Sequence, residues 1–288
     1  MDQSIKEKYK LPEEEHLEIY KKIEQEVFRT EPDEQPIGII VGGQPGSGKG
    51  SVISCSKRDV EKGGKDIVII TTDEYKPYHP QAIEIAQKYP TDYVEIVEQD
   101  AGAWTGKVLR KAIDDRYNFI FEGTLKNDRI LDRIKEMKQN GFSVIVRAIA
   151  VPRLESLITV HERYENQMQN MGWGRLISIE HHDQAYNGVP STVDAIEKSG
   201  LCTVEIYIRG EEITKPQLVY SSEQSNDAYP TARIALEEYR NREKYKTALT
   251  AKERIQRLKK QFISRGALQA EMKQLERLES EIMQDRAK

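Results

Sequence analysis

Seven residues carry the first chemical signal: Gly43-Gln44-Pro45-Gly46-Ser47-Gly48-Lys49. An apolar run, Ile37-Gly38-Ile39-Ile40-Val41, precedes them, and Val52, Ile53 and Val60 follow at helical spacing. A buried strand, a glycine-rich turn and a helix start let successive backbone N–H groups converge on phosphate oxygens. Lys49 adds a full positive charge to the partial charge of the helix N-terminus. Gly50 stands where a serine or threonine would hold magnesium, and Ser51 comes next. The stretch from Gly43 to Ser51 is therefore a candidate nucleotide phosphate site, with Ser51 as the nearest hydroxyl for a metal ion.

Four more side chains suit phosphoryl transfer, which needs charge neutralised on the moving group and a proton acceptor for the attacking hydroxyl. Asp73 follows the apolar run at 67–70. It reads equally as that acceptor or as a helix cap or metal ligand. Glu122 ends the run at 117–121, where an acidic group can order magnesium or its waters. Arg163 and Arg175 flank a glycine-broken stretch, Gly172-Trp173-Gly174. Their guanidiniums fit a clamp on a triphosphate, although salt bridges to Glu162, Glu165 or Glu180 would also explain them.

These residues need a scaffold. Short β-branched runs at 37–41, 67–70, 117–121, 144–149 and 203–208 predict five strands. Helical spacing predicts helices over 12–29, after the glycine-rich turn to Gly63-Gly64, before and within 100–115, through Ile130, Ile134 and Met137 to Asn140-Gly141, and over 154–168. Alternation of the two predicts an α/β fold, a parallel five-stranded sheet with helices on both faces. Ligands of such sheets lie beyond the strands' carboxyl ends, which gathers Lys49, Asp73 and Glu122 into one crevice. After Pro230 the composition turns helical and charged, with apolar stripes at Ile255, Leu258 and Phe262, then Leu268, Met272, Leu275, Leu278 and Ile282. The expected organisation is a kinase-like domain over 1–230 and a helical C-terminal extension over 231–288, laid on the main domain.

The 288 residues have room for that arrangement. A net charge of −4 gives no general basis for nucleic-acid binding. No apolar run is long enough to cross a bilayer, and the first residues lack a signal-peptide core. The two cysteines, Cys55 and Cys202, have no metal-ligand spacing, so free thiols and a cytoplasmic location are expected.

Taken together, the motifs resemble the zeta toxins of bacterial toxin–antitoxin systems, including the pneumococcal type. The shared stretches are the glycine-rich loop, Asp73 with His79-Pro80, Tyr117-Asn118 with Glu122-Gly123-Thr124-Leu125-Lys126, then Arg163-Tyr164-Glu165, Arg175 and His182-Asp183. They cover roughly residues 35–215. The resemblance implies a phosphate-loop kinase that uses ATP and Mg2+ to phosphorylate the amino-sugar 3′-hydroxyl of UDP-N-acetylglucosamine, and an antitoxin that blocks its nucleotide site. It implies Asp73 as base. Lys49, Arg163 and Arg175 would lie on the ATP phosphates, and Thr124 and Lys126 beside Glu122 on the sugar nucleotide. Streptococcal plasmid members carry a substrate-binding glutamate in the helix before the third strand. Gly106 stands there in this chain, and Asp100 is the candidate substitute. Two other readings stay open: a kinase for another NDP-sugar, dinucleotide or antibiotic, and a nucleotide-binding module acting through its C-terminal helices.

Overall fold

The phosphate-loop strand is the centre of the sheet. In chain order the computed structural model has α1 (Gln3–Tyr9), α2 (Glu13–Val27), β1 (Ile37–Gly42), α3 (Lys49–Lys62), β2 (Val68–Ile70), α4 (Thr72–Tyr75), α5 (Ala82–Lys88), α6 (Tyr93–Asp114), β3 (Phe119–Gly123), α7 (Ile130–Gln139) and β4 (Ser143–Ile149). The chain continues through α8 (Arg153–Met171), α9 (Ile179–Ser199), β5 (Thr203–Ile208), β6 (Gln217–Ser221), α10 (Ala232–Arg242), α11 (Lys244–Ser264) and α12 (Gln269–Asp285). It describes residues 3–210, 212, 215–224, 228–242 and 244–285.

The strand order is β2-β3-β1-β4-β5-β6, and the first five run parallel. The expected parallel five-stranded sheet gains a sixth strand: β6 pairs antiparallel with β5. The pleat of β1 sends alternate side chains to opposite faces. Ile40 joins the core under α6 and α7 with Trp104, Val108, Phe119 and Met137. Ile39 and Val41 face the other way, against Val52 and Ile53 of α3. That two-sided burial is why β1 reads as an unbroken apolar run.

α9 lies in a span that the sequence left unassigned. Ser178 caps it, its Oγ accepting from His181 N at 3.2 Å, and Pro190 sits inside it. A Cβ at Gly188 would fall 2.1 Å from Lys126 O, so the loop after β3 rests directly on this helix.

The expected boundary at 231 does not match the packing. Ala232, Ala235 and Leu236 of α10 belong to the main core. The separate layer begins with α11: Ile255, Leu258 and Phe262, with Leu275 and Leu278 of α12, bury Leu157, Ile158 and Tyr164 of α8. Gly266, at φ 70, makes the turn between the two helices. The side chain of Ile282, last of the expected stripe, lies outside the described residues.

Candidate functional site

The carboxyl ends of β1, β2 and β3 open into a cavity of about 770 Å³. Lys49, Asp73 and Glu122 line it, as the strand-end rule predicts, and Thr124, Lys126 and Arg163 line it with them. The glycine loop turns from β1 into α3 through Gly43, Gly46 and Gly48, with φ values of 153, 76 and 95°. Gly46 has a further reason: an added Cβ would lie 2.1 Å from Ser156 O. Lys49 Nζ donates to Gly43 O at 3.1 Å and to Gln44 O at 3.3 Å, and pairs with Glu122 Oε1 at 3.5 Å.

Asp73 is the second residue of the short α4, just past β2. Arg175 Nη1 lies 2.7 Å from its Oδ1, and Lys76, one turn on, is 2.9 Å from the same oxygen. Burial alone would raise this carboxyl. Lys76, Arg175 and Arg163 outweigh burial and hold it well below the usual carboxylate range. The group is deep, yet 38% of the side chain remains accessible because it faces the open cavity. Lys76 also pairs with Glu98 of α6 at 3.0 Å. Arg163 is pushed down by burial and by Arg175, and its Nε has no hydrogen-bond partner.

The competing surface role for Arg163 and Arg175 is excluded by where the nearby acids go. Glu162 binds Arg254 Nη2 at 2.6 Å and Arg257 at 3.0 Å. Glu165 takes Arg265 at 2.8 Å, and Glu180 pairs with Arg277. The C-terminal hairpin occupies those carboxylates, which leaves Arg163 lining the cavity near Asp73 and Glu122 and Arg175 paired with Asp73.

Not every expected ligand reaches the cavity. The Asp100 carboxylate is buried toward the N-terminal segment, where it accepts from Leu11 N at 3.4 Å and lies 3.8 Å from His79 Nε2. Its helix points Gly102, Thr105 and Gly106 at the cavity instead. Asp100 is thus a tether for the chain before α2 rather than a substrate contact. Ser51 also turns away: its Oγ donates to Gly48 O at 2.8 Å, and it does not line the cavity. A Cβ at Gly50 would meet nothing within 4 Å, so packing does not dictate the missing hydroxyl. Among the described residues no group of three His, Cys, Asp or Glu side chains forms a metal cage. The Glu122 carboxylate remains a fitting oxygen donor for a magnesium ion that arrives on nucleotide phosphates.

Several site residues lay outside the sequence reading. Lys76 and Glu98 connect Asp73 to α6. Arg209, directly after β5, donates from Nε to Ser47 O at 3.3 Å and from Nη2 to Gly46 O, and its Nη1 binds Glu155 at 2.7 Å. The strand-end rule that selected Asp73 would have selected Arg209 too. Behind the loop, Gln44 Nε2 donates to Val151 O at 2.9 Å and Ser156 Oγ at 3.3 Å. Arg240 of α10 donates to Gln44 Oε1 at 3.0 Å and to Tyr186 O at 2.9 Å. Its guanidinium lies 4.0 Å from the Tyr186 ring centre. Ser156 Oγ meets His182 Nε2 at 2.8 Å, and His182 Nδ1 meets Asp183 Oδ1 at 3.0 Å. This serine–histidine–aspartate row is fully enclosed at Ser156 and His182, so it braces the loop and is closed to substrate.

The fold and this cavity define a phosphate-loop protein of the kinase type: a glycine loop and lysine at the centre of a parallel sheet, facing a strand-end aspartate. The comparisons agree. The zeta toxin family model matches residues 20–224, and the chain belongs to that family. It is 30% identical over 178 residues to "Toxin PezT" of Streptococcus pneumoniae serotype 4, covering 61% of this chain and 69% of that one. It is 28% identical over 179 residues to "Toxin zeta" of Enterococcus hirae, covering 61% of this chain and 62% of that one. A solved structure from the PezAT chromosomal toxin–antitoxin system of Streptococcus pneumoniae superposes with TM-score 0.71 and 23% identity. It covers 87% of this chain and 98% of that one. AvrRxo1-ORF1:-ORF2 solved with ATP gives TM-score 0.51 at 16% identity, over 78% of this chain and 72% of that one. No helix among the described residues is long and apolar enough to cross a membrane.

Proposed function

We propose that the chain is an ATP-dependent kinase that phosphorylates a hydroxyl of a sugar nucleotide, UDP-N-acetylglucosamine or a close relative, and acts as the toxin of a toxin–antitoxin pair. The observation that carries this reading is the convergence of Lys49 and Asp73 on one cavity, with Arg163 beside them. Lys49, the α3 N-terminus and the loop N–H groups hold the β- and γ-phosphates. Arg163 and Arg175 take the γ-phosphoryl charge. Bound magnesium would neutralise phosphate charge, with Glu122 as its protein donor. Asp73 accepts the proton of the acceptor hydroxyl as its oxygen bonds to the γ-phosphorus and the bond to the ADP oxygen breaks. Thr124 and Lys126, at the end of β3, hold the sugar nucleotide.

Arg175 has two employments in this scheme. With the cavity free of phosphate it neutralises Asp73. A triphosphate competes for the same guanidinium, and its departure raises the basicity of Asp73 as the nucleotide arrives. The antitoxin partner rests on family membership and on the toxin–antitoxin system to which the solved pneumococcal relative belongs.

The test is to incubate purified protein with ATP, Mg2+ and a panel of NDP-sugars, and to follow product by mass spectrometry. A mass gain of one phosphate on the sugar moiety is expected. ATP consumption with no phosphorylated member of the panel would overturn the sugar-nucleotide assignment. Absence of ATP binding would overturn the kinase.

A further inference from the structure

The phosphate loop has a back as well as a front. Where its N–H groups turn toward phosphate, the carbonyls of the same peptides turn away and need partners of their own. Arg209 serves two of them, with Nε on Ser47 O at 3.3 Å and Nη2 on Gly46 O. A trans peptide is planar, its N–H opposite its C=O. Holding Ser47 O therefore fixes the direction of the Gly48 N–H, at the N-cap of α3.

Arg209 is itself held by one oxygen of one carboxylate. Its Nη1 lies 2.7 Å from Glu155 Oε1, in the first turn of α8. The other oxygen, Oε2, is taken by Arg254 of α11, whose Nη1 lies 2.6 Å away. Arg254 is anchored from its far side, where Nε and Nη2 fork onto the two oxygens of Glu162 at 2.9 and 2.6 Å. Thr159 Oγ1 accepts from both guanidiniums, from Arg209 Nη2 at 3.4 Å and Arg254 Nη2 at 3.5 Å. Charges thus alternate along a row, Glu162, Arg254, Glu155, Arg209, that ends on the loop carbonyls. The side chains of Glu155 and Arg254 are each only 19% exposed, which limits screening by salt.

A guanidinium and a carboxylate left to themselves favour two parallel hydrogen bonds. Released from Arg254, Glu155 would turn both oxygens on Arg209 and draw it off the loop. Occupied at Oε2, it makes a single contact at Nη1 and leaves Nε and Nη2 for Ser47 and Gly46. Building on the nucleotide site of the reading above, we propose that Arg254 is a positioning residue for the phosphate loop, acting through Glu155 and Arg209, so that the C-terminal hairpin sets ATP affinity. Arg254 does not line the main cavity, and it stands past the stretch that the family model matches. Arg257, three residues on, is the matching control: among the described residues its ion pair is with Glu162 alone, and its side chain is 65% exposed.

The test is ATP binding to the full chain, followed by calorimetry with Mg2+ and no acceptor. Arg254→Met should weaken binding by about tenfold, near the worth of a hydrogen bond to a charged group. Arg257→Met should leave it within about twofold. In an Arg209→Met background the route to the loop is already cut, so Arg254→Met should there change affinity by less than about twofold. A merely structural role would cost the same in both backgrounds, and that result overturns the proposal. If the methionine variant does not fold, Arg254→Lys is read in its place. A lysine keeps the cation and loses the fork, so a loss of about threefold that vanishes in the Arg209→Met background is expected, and parental affinity overturns the proposal. Unchanged affinity in a folded Arg254→Met also overturns it and leaves the kinase standing. A parent that binds no ATP overturns both.

Discussion

Arg175 Nη1 and Asp73 Oδ1 are 2.7 Å apart, which makes the proposed clamp and the proposed base partners before any nucleotide arrives. A carboxylate held this far down is a weak proton acceptor. The same contact keeps it ionised at every pH of interest. In the free enzyme, kcat/KM should therefore stay flat from pH 7 to 5. Arg175→Ala removes one of the cations that depress the carboxyl, so the acid limb should move up by roughly 1–3 pH units, together with a loss of ATP affinity. An acid limb that does not move in the variant would show that Arg175 has no hold on Asp73.

Asp73→Asn keeps the shape and removes the basicity. The transfer rate should drop by roughly 10²–10⁴, the usual worth of a general base, with ATP affinity within a few-fold of the parent. Loss of magnesium-dependent ATP binding in a calorimetric titration would instead make Asp73 a metal ligand.

Lys49→Ala should abolish ATP turnover and leave the fold intact. Expression of the parent chain should slow growth of a bacterial host, and expression of this variant should not. Equal growth inhibition by both would point to harm unconnected with phosphoryl transfer.

The position of Asp73 past the end of the second strand was legible because β-branched runs announce buried parallel strands, and such strands deliver the residues that follow them to one edge. The C-terminal layer was legible from stripes such as Ile255, Leu258 and Phe262. What escaped were features set by partners far away in the chain. Asp100 sits two residues from the cavity-lining Glu98 and Gly102, a rotation of roughly 200° at about 100° per residue, which aims it away from the cavity at Leu11 N. Gly188 and Pro190 give α9 the look of a break. The glycine is there for Lys126 O, and the proline is accommodated within the helix. β6 is a short edge strand with an exposed start, too brief to stand out beside the β5 it pairs with.

His182 predicts how the protein responds to acid. Burial pushes its imidazole down to about 4, the Asp183 contact opposing only part of that, and Arg153 and Arg240 add to the fall. Above the ordinary histidine value it is neutral in both folded and unfolded chains and has no effect. As pH falls from about 6.5 to 4, the unfolded chain takes the proton and the folded one does not, a loss of up to roughly 3 kcal/mol that is complete below pH 4. His161, likewise depressed by burial, adds to the trend. The thermal midpoint should fall across that window, and His182→Gln should flatten part of the fall. An equally steep fall in the variant would place the acid sensitivity elsewhere.

Arg240→Met should raise KM for ATP by roughly tenfold, about the worth of one hydrogen bond to a charged group, with a smaller change in kcat. Combining it with Gln44→Ala should add little more if Arg240 acts through Gln44. Fully additive effects would mean that Arg240 supports the site by another route.

The Arg240–Gln44 hydrogen bond joins residues 196 positions apart. Ribosomes add about 5–20 residues each second, so roughly 10–40 s separate the two during synthesis. For that interval the glycine loop exists without the guanidinium that steadies it from behind. The α11–α12 hairpin that occupies Glu162 and Glu165 comes later still. A cell making this protein thus has a grace period in which the nascent chain is unfinished as a nucleotide binder, and a ribosome that stalls before α10 releases a fragment lacking the brace.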